Sequence, residues 1–407
     1  KSSWEIELAT ARGHVNEDVC VIENKKALKD YIRILIVILL LGGFLLVLPA
    51  ETAAASIPGR DGRKPELAET DLCLGLYTTQ RMMLDHCWPM PDGSLPARDP
   101  DPALAEVPYQ YLRVLNVKVP LYWTVDDAVA DRNSPRRLLP GFDFVSVYSQ
   151  VKASGGWYYL TSANLWMPGK EAEYWNSISS FQGLEFTRTP DTGLGWVLSE
   201  VESQRDPGTE EPVKTGKVYP RYQPIAVYRE VDRAGTEWLQ IGPREWIPAQ
   251  NAAWVQPDTT QPRGVEGGRW IKINLEQQLL TVYENGQLVY ATLVATGVEG
   301  FWTRPGSFQI KSKLEVETMR GSFAADRSDY YYLEDVPWTM YFDQSRALHG
   351  AYWHDLYGTP QSKGCVNLSP GDAHFLFQWA EEGDWVHVWD PSGETPTDSD
   401  LYQAGGA

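Results

Sequence analysis

Two hydrophobic rhythms run through the chain, and the clearest lies towards its end. From Trp270 to Leu275 apolar and polar residues alternate, and Gln278–Tyr283 and Leu288–Val294 carry further runs separated by Glu284-Asn285-Gly286-Gln287. Alternation with period two marks a strand with one buried face, and Asn-Gly is a strong hairpin signal, so the pattern predicts a β-hairpin leading into more sheet. Phe375, Leu376 and Trp379 share one helical face, which predicts a short helix over 372–382, and Trp385-Val386-His387-Val388-Trp389 predicts a closing strand.

The second rhythm is a repeat. Phe144–Lys170 aligns without gaps on Pro224–Gln250, an offset of 80 residues. Val147, Tyr148, Val151, Gly155, Trp166 and Pro168 meet Val227, Tyr228, Val231, Gly235, Trp246 and Pro248, with Tyr158 opposite Trp238. Each copy shows an alternating run, a glycine turn, a second run and a Trp-x-Pro ending, the pattern of a small antiparallel barrel. Trp166 and Trp246 are read as core, because large aromatics supply much of the buried surface in a small barrel. The copies are bounded at 109–175 and 176–255. They resemble the bacterial SH3-like modules placed beside cell-wall enzymes.

Ile34–Leu48 is the most apolar stretch, fifteen residues without a charge, preceded by Lys25, Lys26, Lys29 and Arg33 and followed by Ala53-Ala54-Ala55-Ser56. A positive flank, a short apolar core and an A-x-A site describe a secretory signal peptide over 25–55. The alternative is a membrane tether through residues 32–48, although the run is shorter than the ~20 residues that span a bilayer. Either reading places the remainder outside the cytoplasm, secreted to the cell wall or anchored facing outward. Residues 1–24 form an extension from which no function is read. Residues 56–108, with Ala97-Arg98-Asp99-Pro100-Asp101-Pro102, read as a Pro/Asp-rich stalk, and 391–407 as a disordered tail.

With 407 residues the chain has room for two or three domains. A formal net charge of −18 gives nucleic acid and anionic membranes little electrostatic support as partners. Of the four cysteines, Cys20 lies before the apolar run, and Cys73 and Cys87 could pair in an oxidising compartment. Cys365 is then left over, and an unpaired cysteine in an exported protein needs chemistry to justify it.

That chemistry is suggested by His349-Gly350-Ala351-Tyr352-Trp353-His354, followed by Ser362-Lys363-Gly364-Cys365-Val366-Asn367. A thiol with a free pKa of about 8.5 is mostly protonated near neutrality, and an imidazole within reach takes its proton and later returns it to a leaving amine. The arrangement resembles the L,D-transpeptidase catalytic domain, also called the YkuD domain, whose members carry His-Gly, about sixteen residues, then Ser/Thr-x-Gly-Cys-x-Asn/Arg. Here His349 and Cys365 are sixteen residues apart. Ile273-Asn274-Leu275, Gln278-x-Leu280-x-Val282-Tyr283 and Thr303-Arg304-Pro305-Gly306-Ser307-Phe308 add to the likeness over 268–390. Lys363 replaces a histidine common in the family, and Pro305 stands one place later than usual.

The resemblance implies a mainly β protein, an L,D-transpeptidase-type β-sandwich with a short helix, preceded by two small SH3-like barrels. It implies Cys365 as nucleophile, His349 as general acid/base, and the Gly350 carbonyl orienting the imidazole. Ser362 and Asn367 would shape the loop, with amides near Gly364 and Cys365 as the oxyanion hole. His354 and Lys363 are expected in the substrate cleft, and Tyr352, Trp353 and Tyr357 as a lid. Cys365, His349 and His354 lack the close paired ligands of a zinc site, so no metal and no cofactor is expected. The expected partners are peptidoglycan stem peptides and the activity acyl transfer to an amine. The alternatives are an L,D-carboxypeptidase using the same cysteine, and a non-catalytic wall-binding protein.

Overall fold

The computed structural model describes residues 95–402 apart from 116–117, 139–140 and 325. The expected signal peptide or anchor, the residues before it, most of the stalk and the Cys73–Cys87 pair lie outside the described residues. The described part is mainly β, as the patterning predicts. Its centre is a sandwich of two seven-stranded sheets.

The first sheet is built around Arg269–Asn274, Leu279–Glu284 and Gln287–Leu293. The turn between the last two places Asn285 at φ 51° and Gly286 at φ 75°, the left-handed pair that a tight hairpin turn requires. Trp385–Trp389 joins Arg269–Asn274 in parallel, and Gly306–Gln309 closes that edge. The second sheet runs Val366–Leu368, Arg346–Gly350, Tyr331–Asp343, Phe142–Val147, Gln110–Val114 and Ala172–Trp175, with Ser312–Gly321 also paired to Tyr331–Asp343. Between the sheets lie Ile271, Ile273, Leu280, Val282, Met340, Phe342, Leu348, Val366 and Leu368, all buried in one apolar cluster.

The helix following the cysteine segment spans Pro370–Trp379. It starts two residues earlier than the periodicity predicts because Ser369 caps it, accepting from the Asp372 amide, and Pro370 fits the first turn. Leu376 enters the core, and Phe375 stacks on Tyr290 with centroids 3.8 Å apart.

The repeat is a repeat of elements. Copy one runs Phe142–Val147, Ser149–Ala153, Gly156–Leu160, Trp166–Pro168, a 3-10 turn at Gly169–Glu171 and Ala172–Trp175. Copy two runs Pro224–Val227, Arg229–Arg233, Thr236–Gly242, Glu245–Pro248, a 3-10 turn at Ala249–Asn251 and Ala252–Val255. Tyr158 pairs with Pro168 in the one, and Trp238 with Pro248 in the other.

The sheets cut across the boundaries read from the sequence. Phe142, Asp143 and Phe144 of copy one pair in parallel with Tyr331, Tyr332 and Leu333. Leu184–Phe186 adds to the edge of the first sheet and carries Ala97–Arg98 on its other side. Residues 95–108 are therefore not the end of a stalk. Leu95 and Ala97 pack on the second apolar cluster, and the Leu104 carbonyl lies 3.2 Å from His374 Nδ1. Residues 391–402 are likewise ordered, against expectation: Tyr402 is 1% exposed, its carbonyl accepts from both terminal nitrogens of buried Arg346, and its ring lies 5.0 Å from that guanidinium. A buried guanidinium needs acceptors, and the low-complexity tail supplies one.

Candidate active site

Two neighbouring strands of the second sheet carry the site. Arg346–Gly350 and Val366–Leu368 pair in parallel, with His349 opposite Asn367. Because Leu348, Val366 and Leu368 face the core, alternation turns His349 and Asn367 to the other face, and Cys365 lies two residues before Asn367. Sixteen intervening residues are thus folded away so that the two halves of the motif lie side by side.

The polar groups on that face form a chain. The Leu356 amide donates to His354 Nδ1 at 3.1 Å, so the His354 proton is on Nε2, which lies 3.1 Å from Asn367 Oδ1. Asn367 Nδ2 lies 3.1 Å from His349 Nε2, and His349 Nδ1 lies 3.4 Å from the Gly350 carbonyl. One set of tautomers satisfies every contact: His349 carries its proton on Nδ1, towards Gly350, and keeps a lone pair on Nε2. Burial drives the His349 pKa down to about 4, against a smaller upward pull from the Gly350 carbonyl, so the ring is neutral at ordinary pH. Burial also lowers His354.

The cysteine loop is stitched together internally. Gly364 has φ 117°, a conformation that other residues rarely adopt. Ser362 Oγ donates to the Cys365 carbonyl at 2.5 Å and accepts from the Gly364 amide at 3.1 Å. The Gly364 N–H, expected as an oxyanion donor, is thus used within the loop. Thr303 Oγ1 donates to the Gly364 carbonyl at 2.9 Å and accepts from the Gly297 amide at 3.0 Å. Gln278 holds Thr296 from both ends of its amide, at 2.7 Å each. The thiol of Cys365 lies 3.7 Å from the Ser345 carbonyl. It is outside any disulfide and buried.

Two expectations change. Tyr352 is 0% exposed, stacked on Tyr111 at 3.5 Å, with its hydroxyl on the Glu334 carbonyl at 2.7 Å, so it is core and not a substrate contact. Tyr357 is also buried, donating to the Ala351 and Leu368 carbonyls at 3.0 and 3.2 Å, and cannot serve as a lid. Trp353 remains beside the site, 5.6 Å from the His349 ring. Lys363 is half-buried, with Nζ 2.6 Å from the Asp329 carbonyl and 3.0 Å from its carboxylate.

The motif did not point to Tyr331. Its hydroxyl is buried and, among the described residues, has no hydrogen-bond partner, and the charge of Cys365 helps to raise its pKa behind the larger effect of burial. Gly321, opposite Tyr331 in the hairpin, leaves the space: a Cβ there would come within 2.7 Å of the hydroxyl. The need for a residue without a side chain at position 321 is the sort of detail only the folded register reveals.

These features define a mainly β protein with a buried cysteine immediately before one strand and a neutral histidine on the strand paired with it. Residues 268–388 match the family model YkuD, the L,D-transpeptidase catalytic domain. Among solved structures, a serine-for-cysteine mutant of the Enterococcus faecium L,D-transpeptidase is 26% identical with a TM-score of 0.28, covering 31% of this chain and 50% of that one. An L,D-transpeptidase from Stackebrandtia nassauensis is 28% identical with a TM-score of 0.25, covering 33% of this chain and 60% of the other. One from Mycobacterium smegmatis is 18% identical with a TM-score of 0.29, covering 44% of this chain and 72% of that one. The chain thus spans about half the length of the Enterococcus protein it matches. No curated protein sequence matches.

Proposed function

We propose that the chain is an extracytoplasmic peptidoglycan L,D-transpeptidase working through Cys365. The observation that carries the reading is the neutral His349, oriented through Nδ1 by the Gly350 carbonyl, on the strand beside the cysteine in a region that matches the family model. In the reaction, Nε2 of His349 exchanges its Asn367 contact for the thiol and takes its proton. The Cys365 sulfur attacks the carbonyl of the third residue of a tetrapeptide stem, and the oxyanion formed accepts from the Tyr331 hydroxyl. D-Ala leaves with the proton from His349, leaving a thioester. An amine of a second stem then attacks, losing its proton to His349, and the thiol is released with a new cross-link made. One oxyanion donor is typically worth about 3 kcal/mol. His354 and Asn367 hold the imidazole, Ser362, Gly364 and Thr303 hold the cysteine loop, and Trp353 walls the cleft. The copies at 109–175 and 176–255 are read as SH3-like modules beside the 268–390 domain.

The test is mass spectrometry of the chain incubated with a disaccharide tetrapeptide, comparing wild type with Cys365→Ala. D-Ala release and a thioester adduct that vanish in the variant support the reading, and the product mass separates cross-linking from hydrolysis by an L,D-carboxypeptidase. A folded protein that gives no adduct, no release and no product would leave a wall-binding role instead.

A further inference from the structure

Cys365 is only 4% exposed and His349 2%, so a peptide carbonyl reaches the thiol only after part of the surrounding wall moves. The side made by residues 351–357 is locked by the buried hydroxyls of Tyr352 and Tyr357 described above. The opposite side is built differently. It is the turn that joins the hairpin strands Ser312–Gly321 and Tyr331–Asp343, and the Lys363 side chain fastens it to the cysteine loop.

Asp329 is the centre of that fastening. Its carboxylate accepts from Ser322 Oγ at 2.7 Å and from the Phe323 and Ala324 amides at 3.0 Å, which ties the two ends of the hairpin into one piece. The same carboxylate and the Asp329 carbonyl receive the Lys363 ammonium, two residues before the nucleophile. Lys363 Nζ also lies 5.1 Å from the ring of Phe323, 5.2 Å from Tyr331 and 5.8 Å from Phe301, and Phe301 packs on Phe323 at 4.9 Å. A cation shared between a carboxylate and three aromatic faces is a strong but reversible contact, because both charged side chains keep about a quarter of their surface in water. Bonds from Ser322 and the neighbouring amides hold the Asp329 carboxyl well below the usual range, so it stays charged across the working pH.

We propose that Asp329 is a positioning residue for the nucleophile: through Lys363 it latches the hairpin end across Cys365, and release of that ion pair opens the thiol to the stem peptide. The inference deepens the reading of Cys365 as nucleophile and rests on it. It also assigns the Lys363 charge to the latch and not to a substrate carboxylate.

The experiment is alkylation of the full chain by iodoacetamide, followed at the Cys365 peptide by mass spectrometry as a function of pH. Wild type, Asp329→Asn, Asp329→Glu and Lys363→Met are compared, with wild type also measured in 1 M NaCl. The rate plateau at high pH, where the thiol is fully ionised, reads access alone. Asp329→Asn and Lys363→Met are expected to raise it about fivefold to tenfold, salt to raise it in wild type only, and Asp329→Glu to restore it. Equal plateaus in all variants overturn the latch, as does a shift in the apparent thiol pKa with the plateau unchanged, which assigns Lys363 to charge and not to access. A fold lost in Asp329→Asn would show as failure of Asp329→Glu to restore the plateau, and the salt arm then decides on the wild-type chain. Alkylation uses no peptidoglycan, so a flat result leaves D-Ala release to judge the transpeptidase reading separately.

Discussion

The two copies of the repeat carry one pattern and are joined to the transpeptidase-like region by different physics. Copy one is joined through the backbone: its first strand hydrogen-bonds Tyr331–Leu333, and Glu334 reaches into it to accept from the Ser146 and Ser162 amides at 3.0 and 3.2 Å. Copy two keeps its own three-stranded and five-stranded sheets. Its barrel strands meet the rest through side chains, with the Trp254 amide on Gln277 at 3.0 Å and Tyr222 and Arg221 on the loop at Asp355 and Tyr357. Leu184–Phe186, ahead of those strands, pairs with the edge of the first sheet. Equal sequence patterns therefore do not mean equal attachment. A strand shared between modules makes them one folding unit, whereas side-chain contacts leave room for independent loss.

The most direct way to break this contrast is at Glu334. Glu334→Ala orphans the two amides and the Tyr332 hydroxyl inside the protein, at about 1–3 kcal/mol for each unsatisfied buried group, so at least about 3 kcal/mol of stability should be lost in urea unfolding. A loss below 1 kcal/mol would mean that copy one is no more firmly joined than copy two.

Next in size is a pH effect on the strand beside the shared one. His349 is held near pKa 4 when folded and returns to about 6.5 when unfolded, so the unfolded state binds more protons between those values. Stability from this residue is full above pH 6.5, falls as pH drops, and is down by roughly 3 kcal/mol below pH 4. Asp143 and Asp372, pushed up to about 7 and about 6 by burial, act with the opposite sign. The comparison that isolates His349 is wild type against His349→Gln, whose stability should lack this slope between pH 6.5 and 4.

The third test asks whether the shared strand reaches the chemistry. Tyr331→Phe should lower kcat by about 10²-fold with little change in KM, whereas Tyr222→Phe on the copy-two side should change kcat less than threefold. The smallest effect is expected at Arg221→Ala, which breaks an exposed pair with Asp355 and should cost about 0.2–1 kcal/mol in thermal unfolding.

Much of the site was legible because its chemistry is local. His349-Gly350 and Ser362–Asn367 are contiguous words, and the pairing of their strands follows once both fold. The hairpin, the helix and the repeat were legible for a related reason, since each is written in a periodicity. What stayed hidden depends on distant partners. Tyr331–Leu333 gives no sign that its neighbour is Phe142–Phe144. Tyr352 reads as a cleft residue until Tyr111 is seen stacked on it. Leu95, Ala97 and Tyr402 sit in polar, low-complexity sequence, and nothing local announces that the first two pack, partly buried, on a distant cluster or that the third is buried on Arg346. Lys363 reads as a cleft residue because its partner Asp329 lies in a turn with no motif.

The pairing of Phe142–Phe144 with Tyr331–Leu333 also sets an order of events in time. A chain emerging from its amino end delivers copy one early but supplies that strand's partner nearly two hundred residues later. Until then Phe142–Val147 has an open edge, and closing so long a loop is slow. Copy two and the hairpin at Asn285-Gly286 meet no such delay, since their partners are close in sequence. Assembly of the second sheet, and with it of the face that carries His349 and Cys365, is therefore a late step, and the cysteine acquires its surroundings only after nearly the whole chain is present.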